Sequence, residues 1–145
     1  MTRVKSIILV TIQLSTMGGI LLTGPWIAHD PVLLALEIAG CAIGAWSVAA
    51  MRPGNLRVMP ELGADHQLVT AGPYRVVRHP MYTAVLIAFF ALVADKFTTL
   101  RAAIALALFI VLVMKMRREE ENLRARFADY AGYARRTKRL VPFIW

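Results

Sequence analysis

Apolar positions along the chain gather into four runs, two long and two short, parted by polar stretches of very different character. Residues 7–26 form the first, with Gln13 as the only strongly polar side chain, and match the ~20 residues needed to cross a hydrocarbon core of ~30 Å. Arg3 and Lys5 stand before this run as they would before a secretory signal. Pro25, Trp26, Ile27 and Ala28 follow it instead of a small-x-small cleavage site, so a retained first span is expected. After Gly24-Pro25, residues 31–51 form a second run, with Pro31 suited to a first helical turn and Trp46 near the far end.

Residues 52–79 then turn polar and rich in Gly and Pro, holding Arg52, Arg57, Arg75 and Arg78. Two shorter apolar runs follow, Met81–Ala94 and Ala102–Met114, separated by a turn containing Asp95, Lys96 and Arg101. At ~1.5 Å per residue each covers only ~20 Å. Spans over about 80–95 and 100–116 therefore need their charged flanks to snorkel, or a locally thinned bilayer. The pattern predicts an all-α polytopic membrane protein with four transmembrane helices. Lys and Arg number two before span one, none in the loop 24–32, four in the loop 52–80, two in the turn 95–101 and nine from Lys115 onward. That asymmetry predicts cytoplasmic termini and a cytoplasmic loop 52–79.

From Arg117 to about Arg136 the pattern changes again. Leu123, Phe127, Tyr130, Ala131 and Ala134 recur at helical spacing among charges, which predicts a cytoplasmic amphipathic helix over 117–136. The last residues, Val141 to Trp145, are expected to return to the membrane interface.

Composition agrees with a bilayer environment. The 145 residues are 58% hydrophobic, more than a soluble domain of this size buries. The net charge of +8 might suggest nucleic acid, but 15 of the 17 basic residues fall on one side of the expected membrane, so a nucleic-acid partner is not expected. Cys41 is the single cysteine and lies in an apolar run, so neither an intramolecular disulfide nor a cysteine-based metal set is expected.

Candidate chemistry lies in two polar clusters. Leu68 to Tyr82 contains Gly72-Pro73-Tyr74-Arg75 and Arg78-His79-Pro80, with Pro80 placed to begin a helix because the amide hydrogen it lacks is unpaired there anyway. Arg78 and His79 then stand beside a helix N-terminus, which favours a carboxylate or phosphate. The alternative makes Arg75, Arg78 and His79 interfacial anchors for lipid phosphates. The second cluster is Arg117-Arg118-Glu119-Glu120-Glu121, where Arg117 and Glu121, four apart, share a helix face. It reads either as a ligand-facing pair or as a solvated run marking a membrane exit. A hairpin of spans three and four brings both clusters to one side.

The pattern Gly-Pro-Tyr-Arg-x-x-Arg-His-Pro-x-Tyr, followed by a helical hairpin and an Arg-rich helix containing Glu-Glu, resembles the isoprenylcysteine carboxyl methyltransferase and phospholipid methyltransferase superfamily over residues 68–142. The resemblance implies a membrane-embedded enzyme that binds S-adenosylmethionine from the cytosol and methylates a lipophilic or lipid substrate. By motif position, Tyr74, Arg78, His79, Pro80, Tyr82 and Glu120 would form the cofactor site, with Arg78 on the cofactor carboxylate. Arg117 and Glu121 would act on the substrate, Arg117 orienting a carboxylate or Glu121 serving as base toward an amine. The tail favours carboxyl O-methylation over N-methylation of a phospholipid amine. Family members commonly carry Gly where this chain has Ala84, whose methyl would narrow a helix contact or the cofactor pocket.

Membrane sterol and steroid reductases also carry Arg-His-Pro-x-Tyr, and an NADPH-dependent reductase is one alternative. They typically place a Glu soon after the Tyr, where Thr83, Ala84 and Val85 stand here. A non-catalytic anchoring protein bound to anionic lipid is another. Elsewhere, Glu37 inside span two is expected to play a structural part, and Gln13 to make an interhelical hydrogen bond. Gly40 and Gly44 form a small-residue face for packing against span one or a second copy of the chain.

Overall fold

The computed structural model describes residues 3–51, 67–142 and 144, with only the backbone of Arg3. The expected cytoplasmic loop, with Arg52 and Arg57, therefore lies largely outside the described residues. What is described is helical: α1 (Arg3–Thr23), α2 (Pro31–Ala50), a 3-10 turn (Gly72–Arg75), α3 (Pro80–Asp95), α4 (Thr99–Arg126) and α5 (Tyr130–Arg136). By length and composition α1, α2 and α4 can each cross a membrane, and α3 is a shorter apolar helix of 16 residues.

Local chemistry sets the boundaries. Gly24-Pro25 ends α1 at Thr23, because a residue before proline is pushed out of the helical region. Exposed Trp26 thus lies past the helix instead of closing span one. Asp30 caps α2, its Oδ1 accepting from Val32 N (2.9 Å) and Leu33 N (3.1 Å). Thr98 caps α4, its hydroxyl accepting from Arg101 N at 3.2 Å. The separate helix expected over 117–136 does not form. Instead α4 runs on through Arg126, breaks at 127–129 and gives way to the short α5.

In space α3 lies between α2 and α4, and α1 packs on α4 with a smaller contact to α3. Consecutive α1 and α2 make no comparable contact, so residues 24–30 must cross the α3–α4 end of the bundle. Asp95 fastens that crossing: its Oδ1 accepts from His29 N (2.9 Å) and Asp30 N (2.8 Å), and Oδ2 meets His29 Nδ1 at 3.0 Å. Glu37 secures the same loop by accepting from Ala28 N at 2.9 Å, a structural part. Fully buried Arg101 closes this end, donating to Ile20 O and Leu92 O at 2.6 Å each and so capping the C-terminal carbonyls of α1 and α3 with one guanidinium.

The small face of α2 meets α3, not α1. A side chain at Gly40 would stand 2.9 Å from both Ala84 O and Ala88 N, whereas one at Gly44 would reach Ala84 Cβ at an ordinary 3.5 Å. Buried Ala84 is accommodated in this close contact because glycines face it. The Ala84 methyl, expected to narrow either a helix contact or a cofactor pocket, stands at the contact between α2 and α3. Large apolar side chains such as Ile8, Leu22, Val32, Ile38, Leu106 and Ile110 point outward, the arrangement of a protein solvated by lipid.

Candidate functional site

The end of the bundle that gathers the N-terminus of α3 and the extension of α4 carries a dense polar cluster. Its frame is the 3-10 turn Gly72–Arg75, packed on α2. Gly72 has a positive φ of 58°, and a side chain there would also press within 3.0 Å of Ala50 Cβ. From this turn the chain pairs in parallel with the segment after α5. Val77 and Lys138 form an isolated bridge, with Arg78 N donating to Lys138 O (2.7 Å), His79 N to Arg139 O (3.1 Å) and Lys138 N to Val76 O (3.3 Å).

Glu120 is the hub, its side chain 3% exposed. Arg78 Nε donates to its Oε1 at 2.9 Å, Arg139 Nη2 lies 3.2 Å from Oε2, and Arg124 Nη2 and His79 Nε2 each stand 3.5 Å from a carboxylate oxygen. Burial opposes the charge, yet His79, Arg78 and Arg139 outweigh it and hold this carboxyl well below the usual carboxylate range. Arg78 spends the rest of its fork on the end of α5, donating from Nη1 to Ala134 O (2.9 Å) and to Thr137 O.

Buried His79 lies between two carboxylates, its Nδ1 3.5 Å from Glu119 and its Nε2 3.5 Å from Glu120, the latter without hydrogen-bond geometry. Burial lowers the His79 pKa, but Glu119 and Glu120 together push it above the ordinary value. Its ring stacks on Tyr82, centroids 5.6 Å apart and planes within 8°. The Tyr82 hydroxyl donates to Glu119 Oε1. Lys115, buried one turn before Glu119, places Nζ 5.5 Å from the Tyr82 ring centroid and donates to Gln13 Oε1 of α1 at 2.6 Å, the interhelical bond expected of Gln13.

Three tyrosines line the side toward α5. Tyr133 donates to Tyr74 O at 2.7 Å and meets Tyr130 edge-on. Burial raises the pKa of all three, that of Tyr130 to about 12, so at neutral pH each is a neutral hydroxyl. The buried hydroxyls of Tyr74 and Tyr130 have no hydrogen-bond partner among the described residues. With His79 Nε2 they make three buried polar atoms of the cluster without a hydrogen-bond partner among the described residues, and such atoms are costly to leave unpaired.

Of the residues singled out from sequence, Tyr74, Arg78, His79, Pro80, Tyr82 and Glu120 come together here, with Pro80 the buried first residue of α3. Arg117 and Glu121 do not. Both are exposed and make no hydrogen bond or ion pair among the described residues, so they neither pair with each other nor close the cluster. The reason is rotational: each helical residue turns ~100°, and burying Glu120 carries its neighbour Glu121 outward. Arg78 commits its Nε to Glu120 and its Nη1 to carbonyls of residues 134 and 137, while the amides of Arg78 and His79 donate to Lys138 O and Arg139 O. Sequence reasoning passed over Glu119, Lys115, Arg139 and Tyr133. Lys115 had a signal, a lone cation ending an apolar run one turn before Glu119. Arg139 had none, because its contact runs through the parallel bridge at 77 and 138.

Two curated relatives are similar to the chain. The cobalt-zinc-cadmium resistance protein CzcN of Cupriavidus metallidurans is 31% identical over 123 residues, covering 82% of this chain and 52% of that protein. The nickel-cobalt-cadmium resistance protein NccN of Alcaligenes xylosoxydans xylosoxydans is 36% identical over 77 residues, covering 52% of this chain and 36% of that protein. The chain thus spans about half the length of the first and about a third of the second. The phospholipid methyltransferase family matches residues 32–129, from the first turn of α2 through α4 to the start of α5. With two thirds of its length matched and the matched helices building most of the polar cluster, the chain belongs to the phospholipid methyltransferase family.

Proposed function

We propose that this protein transfers a methyl group from S-adenosylmethionine to a lipophilic acceptor at the cytoplasmic face of the membrane. The observation that carries the reading is Glu119. Its side chain is 22% exposed, is held by Tyr82 and His79, and lies close enough to the unpaired Tyr74 hydroxyl for its charge to raise that tyrosine's pKa. A partly open carboxylate beside an unpaired hydroxyl suits the ammonium and ribose hydroxyls of such a cofactor.

The residues present therefore fit the group. Glu119 and Tyr74 would hold its polar atoms, and Arg139, 30% exposed while bonded to Glu120, would face its carboxylate beside Arg78, whose side chain is 9% exposed. When bound, the cofactor supplies an electrophilic methyl on a sulfonium. The chain's task is then to orient the acceptor opposite the leaving sulfur and to exclude water. The acceptor we favour is a carboxyl group on an isoprenoid or lipid-like molecule, already ionised at neutral pH and needing no base. Arg117 and Glu121, on the open face of α4, are available to a headgroup approaching from the membrane surface. The names of the two relatives suggest that the modified lipid serves metal resistance.

Incubating the detergent-solubilised protein with methyl-labelled cofactor and a membrane lipid extract tests the reading. Label in an organic-soluble product that is released by mild base is the expected result and identifies an ester. Base-stable label points to an amine. Binding of NADPH in place of S-adenosylmethionine supports a reductase, and binding of neither supports an anchoring protein.

A further inference from the structure

Outside the residues matched to the family, α1 contributes one polar side chain to the cluster. Gln13 Oε1 accepts from Lys115 Nζ at 2.6 Å, in a helix otherwise apolar over most of its length. Lys115 in turn stands below the Tyr82 ring, and Tyr82 donates to Glu119. The contacts form one unbroken series from α1 through α4 and α3 to the carboxylate on which the proposed cofactor site depends. We propose that Gln13 and Lys115 are positioning residues that fix Tyr82 and keep Glu119 aimed, so that α1 is part of the functional site. This rests on the reading of Glu119 given above.

Lys115 and Glu119 are four apart on one helix and share a face, near enough to interact electrostatically. A cation on the face of a phenol draws electron density from the ring and strengthens the hydroxyl as a donor, here toward Glu119. A lysine with four rotatable bonds needs something to hold it under the ring, and the bond to Gln13 helps to anchor it there. A stability role alone would be a poor reason for this lysine. Burying a charge opposes folding, and replacing it with an apolar residue of similar volume is often neutral or stabilising.

That contrast supplies the test. Full-length protein in detergent is titrated with S-adenosylmethionine by calorimetry, and the melting temperature of each ligand-free variant is recorded in parallel. Lys115→Met is expected to weaken binding tenfold or more with an unchanged or higher melting temperature. Gln13→Leu should weaken binding in the same direction, and the double variant should bind no worse than Lys115→Met alone, because the two act through one contact. Lys115→Arg, which keeps the charge, should recover part of the loss. Wild-type affinity in Lys115→Met, additive losses in the double variant, or losses that only follow falling melting temperature would each overturn the assignment. Should Lys115→Met fail to fold, Gln13→Leu against Lys115→Arg decides on the same criteria. Absence of binding by the wild type would sink the cofactor reading itself and this inference with it.

Discussion

At the scale of single residues the cluster is governed by charge pairs that cannot be broken singly without cost. His79 and Glu120 respond to pH in opposite senses. A histidine whose pKa is raised on folding contributes stability that is fully present below its ordinary value of 6.5 and is lost as pH rises through the folded value. Glu120, held low, contributes stability that is present above its ordinary 4.5 and is lost as pH falls through its folded value. The groups facing His79 are Glu119, Glu120, Tyr82 and, across Glu120, Arg78 and Arg139, so the docking of residues 137–140 should be firmest between about pH 4.5 and 6.5 and loosen above. Amide hydrogen exchange at Arg78, His79 and Lys138, corrected for intrinsic rates, should show protection falling as pH rises past 6.5, and His79→Asn should flatten that dependence. Removing the hub is more severe. Glu120→Gln leaves Arg78 and Arg139 without their counter-charge and should destabilise by about 3–5 kcal/mol in chemical denaturation. Binding should discriminate the neighbours: Glu119→Gln is expected to weaken S-adenosylmethionine at least tenfold, and Glu121→Gln less than twofold.

Elements were legible where local chemistry decides them. Pro31, Pro80 and Gly24-Pro25 mark helix ends in the sequence as they do in the structure, and the motif from Gly72 to Tyr82 announces its own turn and helix start. What the sequence leaves open is rotation and partner. Three consecutive glutamates span ~200° of a helix, and only the arrival of Arg78 and Arg139 selects Glu119 and Glu120 over Glu121. The small face of α2 is plain, but its partner depends on residues 24–30 crossing the bundle, which puts α3 and not α1 beside it. This packing makes a differential prediction. Gly40→Ala sets a methyl against two backbone atoms of α3 and should destabilise by about 1–3 kcal/mol. Gly44→Ala meets only Ala84 Cβ at contact distance and gains helix propensity, so thermal denaturation should find it neutral or stabilising.

For the whole molecule, the two ends of the bundle differ in how they treat cations. At one end Arg101 is wholly buried and bonded to carbonyls of α1 and α3, which leaves Lys96 as the exposed cation among the described residues of the 95–101 turn. At the other, Arg117, Arg124, Arg126, Arg135 and Arg136 stand exposed around the polar cluster. Folding therefore sharpens the asymmetry counted from sequence, and by the positive-inside rule this end would be the cytoplasmic one. The same orientation is required by a cofactor drawn from the cytosol, so topology and function stand or fall together. In a Cys41→Ser background, Phe97→Cys should react in intact cells with a membrane-impermeant maleimide, while Arg135→Cys should react only after permeabilisation. If the pattern is reversed, the cluster faces away from any cytosolic methyl donor, and the methyltransferase reading loses its supply of substrate even though every contact in the cluster survives.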